Sequence, residues 1–203
     1  MKIEQVTVPE GRSGNWRVER FEITKDFAKI FNMRELFGGR RRVVYPGTYT
    51  RLLRYGTVVM SDTPAERRDL IHLVFHAKGE GLMNGLGLGV AVQAVLKKPE
   101  VTHVTVVEIS EDVIKLVGDH YLDMFPGRLT IVNADALEYK AEKGKRFNWC
   151  WHDIWDTICL DNLETMSKLH RKYGRRADWQ WSWCRDQIKR LQRKENRQNA
   201  GWW

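Results

Sequence analysis

From Gly79 to His152 the chain alternates short apolar, β-branched runs with helix-like segments, and nothing else in it narrows the fold so far. Residues 81–84 read as a short buried strand, and 90–97 as a helix that Pro99 stops. Residues 103–108 form a β-branched strand, and Ser110 caps a helix reaching about Tyr121. Residues 128–132 and Phe147–His152 complete a set of four strands. Strands alternating with helices imply right-handed βαβ units and a parallel sheet. The expected fold class is therefore α/β, with a Rossmann-like sheet.

The flanks differ in texture. Residues 1–62 hold short β-like runs at 4–8, 16–23, 42–45 and 56–60, punctuated by glycine turns, with a helical turn near Lys25–Phe37. Thr63-Pro64-Ala65-Glu66 has the form of a capping box that opens a helix. The core then spans 63–157, and 158–203 reads as helices only, at 158–173 and about 178–197. The first 160 residues carry a net charge of +2, whereas 161–203 carry +6 and five of the nine tryptophans. A basic segment with interleaved aromatics can follow a phosphate backbone and stack on bases, which makes nucleic acid a candidate partner. The plainer alternative is structural. Trp181, Cys184, Ile188 and Leu191 recur at helical spacing and could cover an open sheet edge or pack against a second subunit in a homo-oligomer.

Composition removes other classes. With 42% hydrophobic and 30% charged residues, the chain can bury a core, unlike disordered or fibrous proteins. No run approaches the roughly 18 apolar residues of a membrane span. The opening Met1-Lys2-Ile3-Glu4 has no leader pattern. A soluble, cytoplasmic protein without membrane contact is expected. Cys150, Cys159 and Cys184 match neither a disulfide framework nor a zinc site, so no metal is expected.

The chemistry concentrates in three places. Asn84-Gly85-Leu86-Gly87-Leu88-Gly89 lies between a strand and a helix, where glycines let a ligand approach backbone N–H groups. Glu108 closes the next strand, 23 residues after Gly85, and an acid there can accept both hydroxyls of an adenosine ribose. A nicotinamide fingerprint wants a small residue at position 90, where Val90 stands, so another adenosyl ligand is favoured. Asp153-Ile154-Trp155-Asp156 follows directly on a strand. On spacing alone, Asp153 could end the strand and Asp156 could cap the next helix. His152 could assist as a base or be a packed imidazole, and alternation places Trp149 and Trp151 on one sheet face.

With these motifs, residues 50–160 resemble the class I S-adenosylmethionine-dependent methyltransferases, and within them the spermidine synthase branch. The resemblance implies that Asn84, Gly85, Gly87 and Gly89 hold the amino-acid end of the cofactor. It implies that Glu108 and Ile109 meet the ribose, and that Asp135 and Ala136 in Asn133-Ala134-Asp135-Ala136 meet the adenine. Asp153 and Asp156 would be the catalytic carboxylates, with Asp153 also beside the cofactor. The cofactor implied is S-adenosylmethionine or its decarboxylated form, and the substrate a small molecule. The reaction implied is methyl transfer, with aminopropyl transfer, an inactive cofactor-binding protein or a nucleic-acid-associated protein as alternatives. The family's C-terminal strands have no evident counterpart, so a sheet truncated after its fourth strand is expected.

Overall fold

A computed structural model describes residues 3–38 and 42–200. The N-terminal part is an antiparallel sheet of β1 (Gly11–Ser13), β2 (Trp16–Ile23), β3 (Gly47–Arg54) and β4 (Thr57–Ser61), in that order. Helix α1 (Lys25–Phe37) leaves β2 through an N-cap: the Thr24 hydroxyl accepts from the Phe27 N–H at 3.2 Å. The runs expected at 4–8 and 42–45 are not strands; β3 lies later, at 47–54. Asp62, fully buried, accepts from Val6 N (3.0 Å) and Thr50 N (2.8 Å) and so ties the irregular N-terminal segment to this sheet.

Helices α2 (Pro64–Asp69) and α3 (Ile71–His76) follow, and the capping box differs from its sequence form. Thr63 makes no side-chain cap bond; Glu66 instead accepts from the N–H and hydroxyl of Ser61, each at 2.7 Å. Then comes β5 (Gly79–Asn84), α4 (Val90–Leu96) and β6 (Val101–Glu108). Next are α5 (Glu111–Val113), a π-helical turn at Ile114–Gly118 and α6 (Asp119–Met124), then β7 (Leu129–Asn133) and β8 (Phe147–His152). Ser110 caps α5 as expected, accepting from Val113 N at 3.3 Å.

Beyond β8 the structure corrects the sequence reading. Helix α7 (Asn162–Tyr173) is followed by β9 (Ala177–Ser182), a fifth strand parallel to β8, and only then by α8 (Arg185–Ala200). The sheet is not truncated after its fourth strand. Nor is 178–197 one helix: Trp181 lies on β9, and Cys184 takes a left-handed backbone (φ 51) that separates strand from helix. The stripe of Trp181, Cys184, Ile188 and Leu191 is therefore no single helical face. Trp202 and Trp203 lie outside the described residues.

All neighbours in the second sheet are parallel, in the order β7-β6-β5-β8-β9. Counted along this sheet alone the order is 3-2-1-4-5, the Rossmann-like arrangement, and its switch point falls between β5 and β8. Trp149 and Trp151 sit on one face with Met83, Val104 and Val106, joined by Trp179 and Trp181 from β9. Val18 and Leu52 of the N-terminal sheet belong to the same cluster. Cys150, Leu82 and Val107 face the other way, onto Leu169 and Tyr173 of α7. Trp149 fits because β5 offers Gly81, whose position would overlap the indole if it carried a Cβ.

Candidate functional site

A cavity of about 660 Å³ opens at the carboxyl ends of β5, β6 and β8, at the switch point. Its rim begins with the glycine loop. Gly85 donates to the Val107 carbonyl at 2.8 Å, which holds the loop across the end of β6. Only glycine serves there: φ is 98°, and a Cβ would overlap the Asp153 carbonyl oxygen. Gly89 starts α4 in the left-handed region with the Tyr121 ring where a Cβ would go. Gly85 and Gly87 line the cavity, whereas Gly89 lies beneath it.

Glu108 is buried on the cavity wall. Its carboxylate accepts from Leu86 N and Ser110 N, both at 2.8 Å, and so braces the loop against the turn after β6. A carboxylate has about four acceptor sites, so capacity remains for a pair of ligand hydroxyls. Ile109, largely exposed, lies beside it. Across β7, Asp135 accepts from Leu137 N at 2.7 Å, which turns the chain so that Asp135 and Ala136 both line the cavity.

Asn84 does not reach the ligand space. It is fully buried, and its amide donates to His152 Nδ1 at 2.7 Å. His152 bridges onward to Gln180 of β9 at 3.3 Å. Burial drives its pKa down to about 3, so the ring is neutral. Fully buried and away from the cavity lining, His152 is a strut and not a base. His170, lowered to about 4 by burial and by Arg185 and Lys189, donates or accepts at Ser182 across 2.9 Å on the same side.

The opposite end of the cavity is acidic and aromatic. Asp153 is positioned by its N–H, which donates to the Asn84 carbonyl at 2.8 Å. Burial of its carboxyl, reinforced by the negative charges of Glu66, Asp69 and Asp156, raises its pKa to about 7. The Trp151 indole N–H lowers it in part, although no hydrogen bond of sound geometry forms between them. Burial also raises the pKa of Glu66. Asp156 is exposed and loosely paired with Arg54 at 3.7 Å. Arg42 holds Asp69 at 2.9 Å. Trp16, Trp155 and Trp183 form apolar walls.

The structure thus gathers Gly85, Gly87, Glu108, Ile109, Asp135, Ala136, Asp153 and Asp156 around one space, leaving Asn84 and Gly89 as its support. The motifs had not revealed Met60, Glu66 and Arg42. Met60 reaches from β4, where its sulfur accepts the Leu88 N–H at 2.9 Å and rests where a Cβ on Gly87 would be. No local spacing announces it, because it approaches from another sheet. Among the described residues, no cluster suited to a metal ion is present.

Sheet order, glycine loop and strand-end acid together give the chain a Rossmann-like architecture with a ligand-sized crevice at the switch point. No protein-family model matches it. Over 85 residues it is 33% identical to polyamine aminopropyltransferase 2 of Hyperthermus butylicus, a match that covers 42% of this chain and 27% of that protein. Among solved structures, a dimethyladenosine transferase from Plasmodium falciparum is 21% identical, with a TM-score of 0.36 over 45% of this chain and 32% of that one. Phosphoethanolamine N-methyltransferase 1 of Haemonchus contortus, solved with phosphoethanolamine and S-adenosylhomocysteine, is 15% identical, with a TM-score of 0.37 over 43% and 18%.

Proposed function

We propose that this chain is an S-adenosylmethionine-dependent transferase that methylates an amine on a small molecule. The observation that carries the reading is Asp153: a carboxyl with a pKa of about 7, fixed at a strand end against the glycine loop and facing the cavity shared with Glu108 and Asp135. The residues fit the cofactor. The positions of Gly85 and Gly87 admit no side chain, Glu108 has acceptor capacity for ribose hydroxyls, and Asp135 lines the same cavity with a carboxylate able to accept from an adenine amino group. The cofactor would supply a sulfonium-activated methyl carbon.

Acidic and aromatic walls suit a cationic acceptor. A protonated amine entering beside Glu66 and Asp153 must lose a proton before its lone pair can attack, and a base near pKa 7 is matched to that task. Asp153 would take the one proton that frees the amine lone pair; the bound cofactor would give up its methyl group to that nitrogen and leave as a neutral thioether, and the methylated amine would carry the positive charge. Decarboxylated cofactor and aminopropyl transfer form the second reading, favoured by the likeness to the Hyperthermus aminopropyltransferase; the base would have the same role.

Calorimetry with S-adenosylmethionine, its decarboxylated form and NAD separates these readings. The first is expected to bind best and NAD not at all. Replacing Glu108 with alanine should weaken binding by about 1–3 kcal/mol through lost charge-assisted hydrogen bonds. An unchanged dissociation constant in folded Glu108→Ala protein would contradict the cofactor assignment.

A further inference from the structure

Helix α1 wears its apolar side outward. Its inner side is settled: Ala28 is buried, Phe31 packs against the cluster of Ile23, Val44 and Tyr49, and Asn32 exchanges two hydrogen bonds with the Val44 backbone at 2.8 and 2.9 Å. The side turned away carries Ile30, Met33 and Phe37, exposed at 54%, 50% and 83%, with Phe27 at 54% on its edge. Asp26, Ile30, Met33 and Phe37 follow at spacings of four, three and four, the seam of a helix that meets another helix. Surface helices ordinarily turn charge outward, and a contiguous stripe of large apolar side chains marks a contact.

We propose that this face joins two copies of the chain, their α1 helices antiparallel about a two-fold axis at Ile30. The polar residues of the stripe select this occupant. Asp26 precedes Ile30 by four positions and Arg34 follows it by four. In an isologous contact centred on Ile30, Asp26 of each copy faces Arg34 of the other, and Phe27 faces Met33. Parallel helices would instead set Asp26 against Asp26 and Arg34 against Arg34. Neither residue has an ion-pair partner among the described residues. The contact satisfies two charges that the single chain leaves in solvent, and antiparallel helix dipoles add to it.

Sedimentation velocity of the full chain tests this between roughly 1 and 100 µM, the range expected of a contact at the small end of specific interfaces. A concentration-dependent monomer–dimer equilibrium is expected. Asp26→Arg and Arg34→Asp should each weaken dimerisation at least about tenfold, because each creates like-charge contacts on both sides of the axis. The double variant D26R/R34D should return to within about threefold of the unaltered chain. All three should keep the same circular dichroism and thermal transition, since neither side chain is packed. A monomer throughout the range, or a double variant no better than the singles, overturns the proposal. Capture of vesicles or of another protein by a monomeric chain would do the same.

Discussion

Asp153 is held where its charge is disfavoured, and that has a measurable consequence for stability. Its folded pKa of about 7 lies well above the ordinary carboxyl value of about 3.9. Between those values the folded chain keeps a proton that the unfolded chain has released. The stability contributed by this group therefore falls as pH rises from about 4 to about 7, and stays at its lowest above that. Asp153→Asn removes the titration. It should raise unfolding free energy at pH 8 by roughly 1–3 kcal/mol and by much less at pH 5, while abolishing most turnover. Denaturant titrations at the two pH values check this; an equal gain at both, or a loss at pH 8, would refute the burial argument. Turnover in the unaltered protein should climb with pH through about 7 as the base deprotonates. Glu108, Asp135 and Asp153 were legible because each ends or follows a strand, so position in the chain fixes position at the sheet's carboxyl edge. Met60 and Arg42 were not, since they enter from the N-terminal sheet and its neighbour, a relation that no sequence spacing encodes.

Among the elements, the buried parallel strands announced themselves. β6 and β8 lie inside the sheet with most residues buried, and they read as a β-branched run and an aromatic run respectively. β9 did not, because an edge strand alternates, and its Trp181 happens to fall three residues before Cys184 and seven before Ile188. The signal that identifies it is the period of two in Trp179, Trp181 and Trp183, matching Trp149 and Trp151 on the strand beside it. Under the proposed function, the glycine loop is the element on which cofactor binding would most depend. Gly85→Ala would force a side chain into the Asp153 carbonyl at a φ that alanine resists. It should cost at least about 2 kcal/mol of stability and more than about tenfold in cofactor affinity, by moving the loop and Asp153 together. Thermal unfolding and calorimetry of that one variant measure both; normal affinity would show that the loop does not touch the ligand.

For the whole molecule, the basic tail divides into a part that builds the domain and a part that extends from it. β9 pairs along β8 and contributes Trp179 and Trp181 to the main core, whereas α8 buries Ile188 alone among its described side chains. Removing residues 177–203 strips an edge strand and uncovers Trp149 and Trp151, and should leave an aggregating or molten chain. Removing 185–203 should leave cooperative unfolding and cofactor affinity nearly unchanged, with a small cost from Ile188. Failure of the shorter deletion to fold would mean that α8 belongs to the core after all. Arg190, Arg193, Lys194 and Arg197 recur on one face of α8, a stripe able to meet a phosphate backbone. Four such contacts correspond to a slope of about −3 for the logarithm of single-stranded RNA affinity against that of salt. If the intact chain binds RNA through this face, that dependence should disappear with α8 while the transferase site remains whole. RNA binding that persists unchanged in the 185–203 deletion would remove α8 from any role in it.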